Sequence, residues 1–207
     1  MAETNRAPRI FDLSANHLCL DFINTLTDRS TGSPRELLTN YSDLVSWSQQ
    51  AHVVVDEEAR RLLEEAARHS VEASSVLQRA ITLREVMYHI FSTVAEGSLA
   101  DETDVTTFNR VLSEAMAHAR VVTEGDGFTW SWTDSDSALN RMLWSVVRSA
   151  ADLLTSEELQ AVRMCSADDC NWLFLDTSKN RSRRWCDMKT CGNRAKVRRH
   201  YDRKKVS

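Results

Sequence analysis

Several stretches within the first 160 residues carry apolar side chains at helical spacing. Leu139, Leu143, Val146, Val147, Ala150 and Leu154 fall at i, i+4, i+7, i+8, i+11 and i+15, one broad apolar face that predicts a helix over 137–154. Leu77, Ala80, Leu83, Met87, Ile90, Phe91 and Val94 predict another over 74–95, with Gly97 placed to stop it. Asp56, ahead of Glu57 and Glu58, caps a helix to about 69; Asp101 opens one to about 120; residues 41–51 suggest a shorter one. One β-hairpin is expected. Val121-Val122, the Gly-rich Glu124-Gly125-Asp126-Gly127 and the alternating Phe128-Thr129-Trp130-Ser131-Trp132 give strand, turn and strand, with the three aromatics on one face assigned to the core.

Composition supports a helical, soluble protein. Gly and Pro number only 5 and 2 in 207 residues, too few to punctuate a many-stranded β fold. No stretch reaches the roughly 18–20 uncharged apolar residues that cross a bilayer, and the first thirty residues lack the apolar run of a secretion signal, so a cytoplasmic location and no membrane partner are expected. The net charge of −4 hides a division. Residues 163–207 hold 13 Lys and Arg against 5 Asp, a net of +8, while residues 1–162 hold 13 against 25 Asp and Glu, a net of −12. A basic module on an acidic body is the electrostatic footprint of nucleic-acid binding.

Four of the five cysteines lie in that basic module, as Cys165-x4-Cys170 and Cys186-x4-Cys191. In a reducing compartment two close thiol pairs separated by a hairpin-sized insert suit one structural Zn²⁺, although a disulfide, a redox site or an iron–sulfur cluster shares the spacing. Metal binding would also supply folding free energy to a segment too short for an adequate core. Trp172-Leu173-Phe174-Leu175 reads as a strand, residues 177–182 as a turn, Arg183-Arg184-Trp185 as a returning strand, and 192–201 as a helix with Cys191 near its start. Knuckle, hairpin and helix in that order describe a treble-clef-like zinc finger. The expected architecture is therefore mainly α: a helical domain over 1–160 with one hairpin, then a finger over 161–207.

The segments Trp172-Leu173-Phe174-Leu175-Asp176, 180–186 and Cys191-Gly192-Asn193-Arg194 resemble the CGNR zinc finger, and Leu20-Asp21-Phe22-Ile23-Asn24-Thr25 resembles the LDF-x-NT signature of the ABATE domain that precedes it. That resemblance implies zinc at Cys165, Cys170, Cys186 and Cys191, DNA as partner, and a role among candidate stress-induced transcription regulators.

Candidate nucleic-acid contacts are Arg181, Arg183 and Arg184 from the hairpin, and Arg194, Lys196, Arg198, Arg199, Arg203, Lys204 and Lys205 from the last helix. Trp172, Phe174 and Trp185 either stack on bases or form the finger's small core. In the body, His17, Asp21 and Asn24 make a polar stripe at i, i+4 and i+7 on an otherwise apolar helix. It is either an internal hydrogen-bond network or part of a pocket for a small-molecule effector. Phosphate loops, nucleophile elbows and His-Glu-x-x-His helices are absent from the sequence, and a four-thiolate zinc has no open position, so no enzyme activity is expected. The expected function is a DNA-binding zinc-finger regulator whose body senses a ligand or forms a homodimer; an RNA-binding protein and a protein-interaction adaptor are the alternatives.

Overall fold

Leu18–Ile23 (α1) is a six-residue helix whose Cys19, Leu20, Phe22 and Ile23 are all fully buried, and the helices at Ser70–Ala95 and Arg141–Leu154 and the strand at Leu173–Leu175 pack against it. The computed structural model describes residues 9–133 and 138–205. After α1 come β1 (Leu26–Thr27), β2 (Arg35–Glu36), α2 (Tyr41–Gln50), α3 (Asp56–Arg68), α4 (Ser70–Ala95), α5 (Glu102–Met116), β3 (Ala119–Glu124), β4 (Gly127–Trp132) and α6 (Arg141–Leu154). A 3-10 turn at Glu157–Ala161 leads into β5 (Val162–Met164) and β6 (Leu173–Leu175); a π turn at Met188–Gly192 leads into α7 (Asn193–Lys205).

The helices begin and end where local chemistry directs. Asn40 and Asp101 each accept a backbone N–H of the first turn, from Asp43 and Thr103. At the end of α4 the chain turns through Gly97 at φ +79°, a conformation that glycine reaches without a Cβ clash. The predicted apolar faces of α4 and α6 are in the core: Leu77, Ala80, Leu83, Met87, Ile90 and Phe91 from one, Leu143, Val146, Val147 and Ala150 from the other. The helix predicted from 74 starts four residues earlier, at Ser70. That predicted from 137 is observed from Arg141, and Ser137 lies outside the described residues.

The β3–β4 hairpin forms as expected, with Val121 opposite Trp130 and Thr123 opposite Phe128. Its aromatic face does not join the core as a whole. Trp132 packs beside Trp144 and donates its indole N–H to Ser145 Oγ at 2.9 Å, but Phe128 is 79% exposed and Trp130 lies half open under the Arg148 guanidinium. A two-stranded ribbon that leaves α6 at one end carries its outer residues beyond the core, whatever their polarity.

Two features fix the arrangement, one within the body and one between the body and the finger. Arg84, 1% exposed on α4, makes a paired contact with Glu36 at 2.7 and 2.6 Å and a further one with Glu85, which also receives Arg29. Buried charges must be paired, and this network holds the β1–β2 ribbon onto α4. Second, β5 and β6 pair antiparallel, Val162 with Leu175 and Met164 with Leu173, and Leu173, Phe174 and Leu175 are all buried in the same core as α1 and α4. The finger hairpin is thus β5 with β6, and residues 183–185 do not form the returning strand expected from the sequence. Arg183 N–H is taken instead by the buried Asp176 carboxylate at 2.8 Å, which removes the donor a ladder would need.

Candidate metal centre

Cys165 follows β5 directly, and its N–H donates to Trp172 O at 2.8 Å, closing a knuckle that turns Cys170 back toward it. The second pair is set by Asp187, whose carboxylate caps Thr190 N at 2.8 Å while its carbonyl accepts from Gly192 N at 3.0 Å. This winds Cys191 against Cys186. All four sulfurs are buried and lie within 4.8 Å of one another. Cys186 Sγ is 3.6 Å from both Cys170 Sγ and Cys191 Sγ. A tetrahedron with Zn–S bonds of about 2.3 Å has sulfur–sulfur edges of about 3.8 Å, so the cluster fits zinc. These separations far exceed the roughly 2.05 Å of a disulfide. Hydrogen bonds from the Cys170 and Cys186 thiols hold Cys165 well below the ordinary thiol range, while the same contacts push Cys186 up. Only a cation among them lets all four ionise together.

The Cys-Gly-Asn-Arg run has a physical role at each position. Cys191 is a ligand. Gly192 is buried where a Cβ would come 2.9 Å from Met188 Sδ. Asn193 Nδ2 donates to Lys189 O at 3.0 Å, tying the π turn to α7. Arg194 donates to Cys191 Sγ at 3.1 Å and pairs with Asp169 at 3.1 Å, joining the two knuckles and offsetting thiolate charge.

The ten candidate nucleic-acid cations separate on inspection. Arg183 stacks over Phe174 at 4.5 Å and donates to the carbonyls of Trp185 and Cys186, so it braces the finger from within. Arg194 and Arg198 pair with Asp169 and Asp168 of the first knuckle. Arg181, Arg184 and Lys196 are exposed, whereas the side chains of Arg199, Arg203, Lys204 and Lys205 lie outside the described residues. Among the aromatics, Phe174 is fully buried, and Trp172 and Trp185 are half-buried against the core.

His17, Asp21 and Asn24 do not form one stripe, because α1 ends at Ile23 and Asn24 stands beyond it. His17 faces α6, with Nδ1 3.3 Å from both Ser149 Oγ and Cys19 Sγ, and burial lowers its pKa against the opposing pull of Glu158 and Asp152. Cys19 is a fully buried thiol among apolar neighbours, and burial pushes its pKa up. Asn24 clamps the finger. Its Nδ2 donates to Leu173 O at 2.8 Å and its Oδ1 accepts from Leu173 N at 3.1 Å. Asp21 acts one step removed: it accepts from Ala15 N at 2.9 Å, and Ala15 O accepts from Leu175 N at 2.8 Å. Asp21 and Asn24 also line a cavity of about 650 Å³ with Arg9, Asp12, Arg35 and Trp172, and His17 is not among its lining residues. Arg35 and Asp187 escaped the sequence reading; for Asp187 the Asp-x-x-Thr spacing is a readable cap signal, whereas nothing local marks Arg35.

No helix among the described residues is long and apolar enough to cross a membrane. No curated protein matches the chain. Residues 161–204 match the CGNR zinc finger, and residues 16–157 match ABATE, described as "Putative stress-induced transcription regulator". With a tetrathiolate cluster of zinc dimensions at one end and the Asn24 clamp joining it to a helical body, the chain belongs to the ABATE family and ends in a CGNR zinc finger that binds one structural zinc ion.

Proposed function

We propose that the protein is a cytoplasmic transcription regulator that contacts DNA phosphates through its finger, while the helical body senses a small molecule or pairs with a second copy. The observation that carries the reading is a cationic surface on a metal-clamped module. Residues 163–207 have a net charge of +8, and Arg181, Arg184 and Lys196 project into solvent with no ion pair among the described residues. A tetrathiolate zinc contributes about −2, leaving the module strongly positive. Four protein thiolates fill the zinc coordination sphere and leave no site for an activated water, so the metal is scaffolding and we assign no catalytic residue.

Titration of the zinc-loaded full chain against duplex DNA, single-stranded DNA and RNA over a range of salt tests this. Duplex binding that weakens steeply with salt is expected, because each neutralised phosphate releases counterions. Preference for single-stranded RNA would replace the reading with RNA binding, and weak, salt-independent behaviour toward all three would replace it with a protein-interaction adaptor.

A further inference from the structure

Two cavities meet where the body joins the finger. The first, of about 650 Å³, is walled by residues 9–12, Asp21 and Asn24, the β1–β2 ribbon and Trp172. The second, of about 720 Å³, lies between that ribbon and the zinc knuckles, with Lys189, Asn193 and Val197 on its far side. They share Asp12, Thr27, Arg35 and Trp172, which makes them one cleft; the second also borders Cys170, Cys186 and Cys191, where zinc takes part of the space, and the first has the volume of a small-molecule site.

The shared residues offer hydrogen-bond donors that the protein does not use. Arg35 sends Nε to Thr27 Oγ1 at 3.3 Å and leans toward Asp28 at 3.8 Å, but its two terminal nitrogens have no partner among the described residues. The indole Nε1–H of Trp172 likewise has none, while the Trp172 backbone is fixed by Cys165 N. The acids in the cleft are largely answered from within. Glu36 is held by Arg84, Asp28 accepts from Thr27 Oγ1 at 3.1 Å, and Asp21 is kept from ionising up to near neutrality by burial. Asp12, which accepts from Ser14 N, is the remaining carboxylate, against Arg9, Arg35 and Lys189. The two unpartnered terminal nitrogens of Arg35, whose exposed side chain lines both cavities together with the Trp172 ring and its spare N–H, match a planar ring carrying an anionic group.

We propose that this junction cleft binds a planar aromatic anion, with its ring against Trp172 and its carboxylate or phosphate on Arg35. The site deepens the sensing role proposed for the body and says where the signal enters. Trp172 directly precedes Leu173, the residue Asn24 clamps, and both Asn24 and Asp21 line the cleft. A ligand seated there touches the strand that carries the first zinc knuckle and the two side chains that hold that strand to the body.

Calorimetric titration of the zinc-loaded full chain with 1-naphthoate and with AMP tests the site, using 1-naphthalenemethanol and adenosine as neutral counterparts. At least one anion is expected to bind one per chain. Its neutral counterpart and the R35Q variant should each bind about tenfold or more weakly, as loss of a charge-assisted paired contact implies. R110Q, which removes an exposed cation on α5, should bind as wild type does. Binding of naphthoate alone identifies a carboxylate ligand; binding of AMP alone identifies a nucleotide. The proposal is overturned if neither anion binds into the millimolar range, or if R35Q, with zinc content and urea midpoint unchanged, binds like R110Q. Because these titrations contain no DNA, their failure leaves the proposed DNA contact standing.

Discussion

The Asn24 side chain occupies both backbone hydrogen-bonding groups of Leu173, donating at 2.8 Å and accepting at 3.1 Å, as an adjacent strand would. Asn24 is 3% exposed and Leu173 is fully buried, so water cannot replace either bond. One side chain just past α1 therefore stands in for the missing neighbour of β6.

Asn24→Ala should cost about 2–6 kcal/mol, because it strands a buried N–H and a buried C=O at about 1–3 kcal/mol each. Asn24→Asp keeps the acceptor but sets a carboxylate against the Leu173 carbonyl, and should be no better tolerated. Urea denaturation of both variants with zinc bound measures this. A loss below about 0.5 kcal/mol for Asn24→Ala would show that the clamp is replaceable.

Zinc should stabilise more than the finger. Leu173, Phe174 and Leu175 leave the first knuckle and enter the core shared with α1 and α4, and Phe174 is further covered by Arg183. Purified protein should contain one zinc per chain, and chelation should lower the denaturation midpoint of the whole helical signal. Cys186→Ser should reproduce the effect. If chelation left the midpoint of the body unchanged while only α7 melted, the shared core would be energetically unimportant.

Much of this was legible in the sequence, and the misses share a cause. The helices of the body, the hairpin turn and the four-cysteine cluster are written in local periodicity, capping residues and spacing. Asn24 and Arg35 act through partners 149 residues away in one case and a cavity in the other, which no local pattern encodes. The Phe128-Trp130-Trp132 alternation gave the right strand but the wrong burial, because periodicity identifies a shared face without saying what covers it. The strand expected at 183–185 failed for a similar reason: Asp176, which is buried, competes for the Arg183 N–H.

The cationic residues should divide in their effect on DNA binding. Arg181, Arg184 and Lys196 are exposed, so replacing all three with Ala should preserve zinc and lower the slope of log affinity against log salt by about 2.7, at about 0.9 per phosphate contact. Arg183→Ala should instead weaken the finger itself, since its guanidinium braces the Trp185 and Cys186 carbonyls and covers Phe174. Zinc retention under chelator separates the two classes. An unchanged slope in a zinc-loaded triple variant would remove these residues from the interface.

Asp21 should make stability depend on pH. Burial, aided by the nearby Asp12 charge and opposed by the Ala15 N–H, raises its pKa to about 7. In the unfolded chain the same carboxyl ionises near about 3.9, so between these values the folded state holds a proton that the unfolded state has released. The contribution of Asp21 to stability is thus complete below about pH 4 and is lost as pH rises through about 7. Asp21→Asn keeps a carbonyl oxygen for Ala15 N and has no charge to lose. Between about pH 6 and about pH 8 the wild type should lose about 1.4 kcal/mol relative to this variant. Taking the difference between the two proteins cancels the titration of the zinc thiolates and of His17, which both share. Parallel stability curves across that interval would mean that Asp21 is ionised throughout.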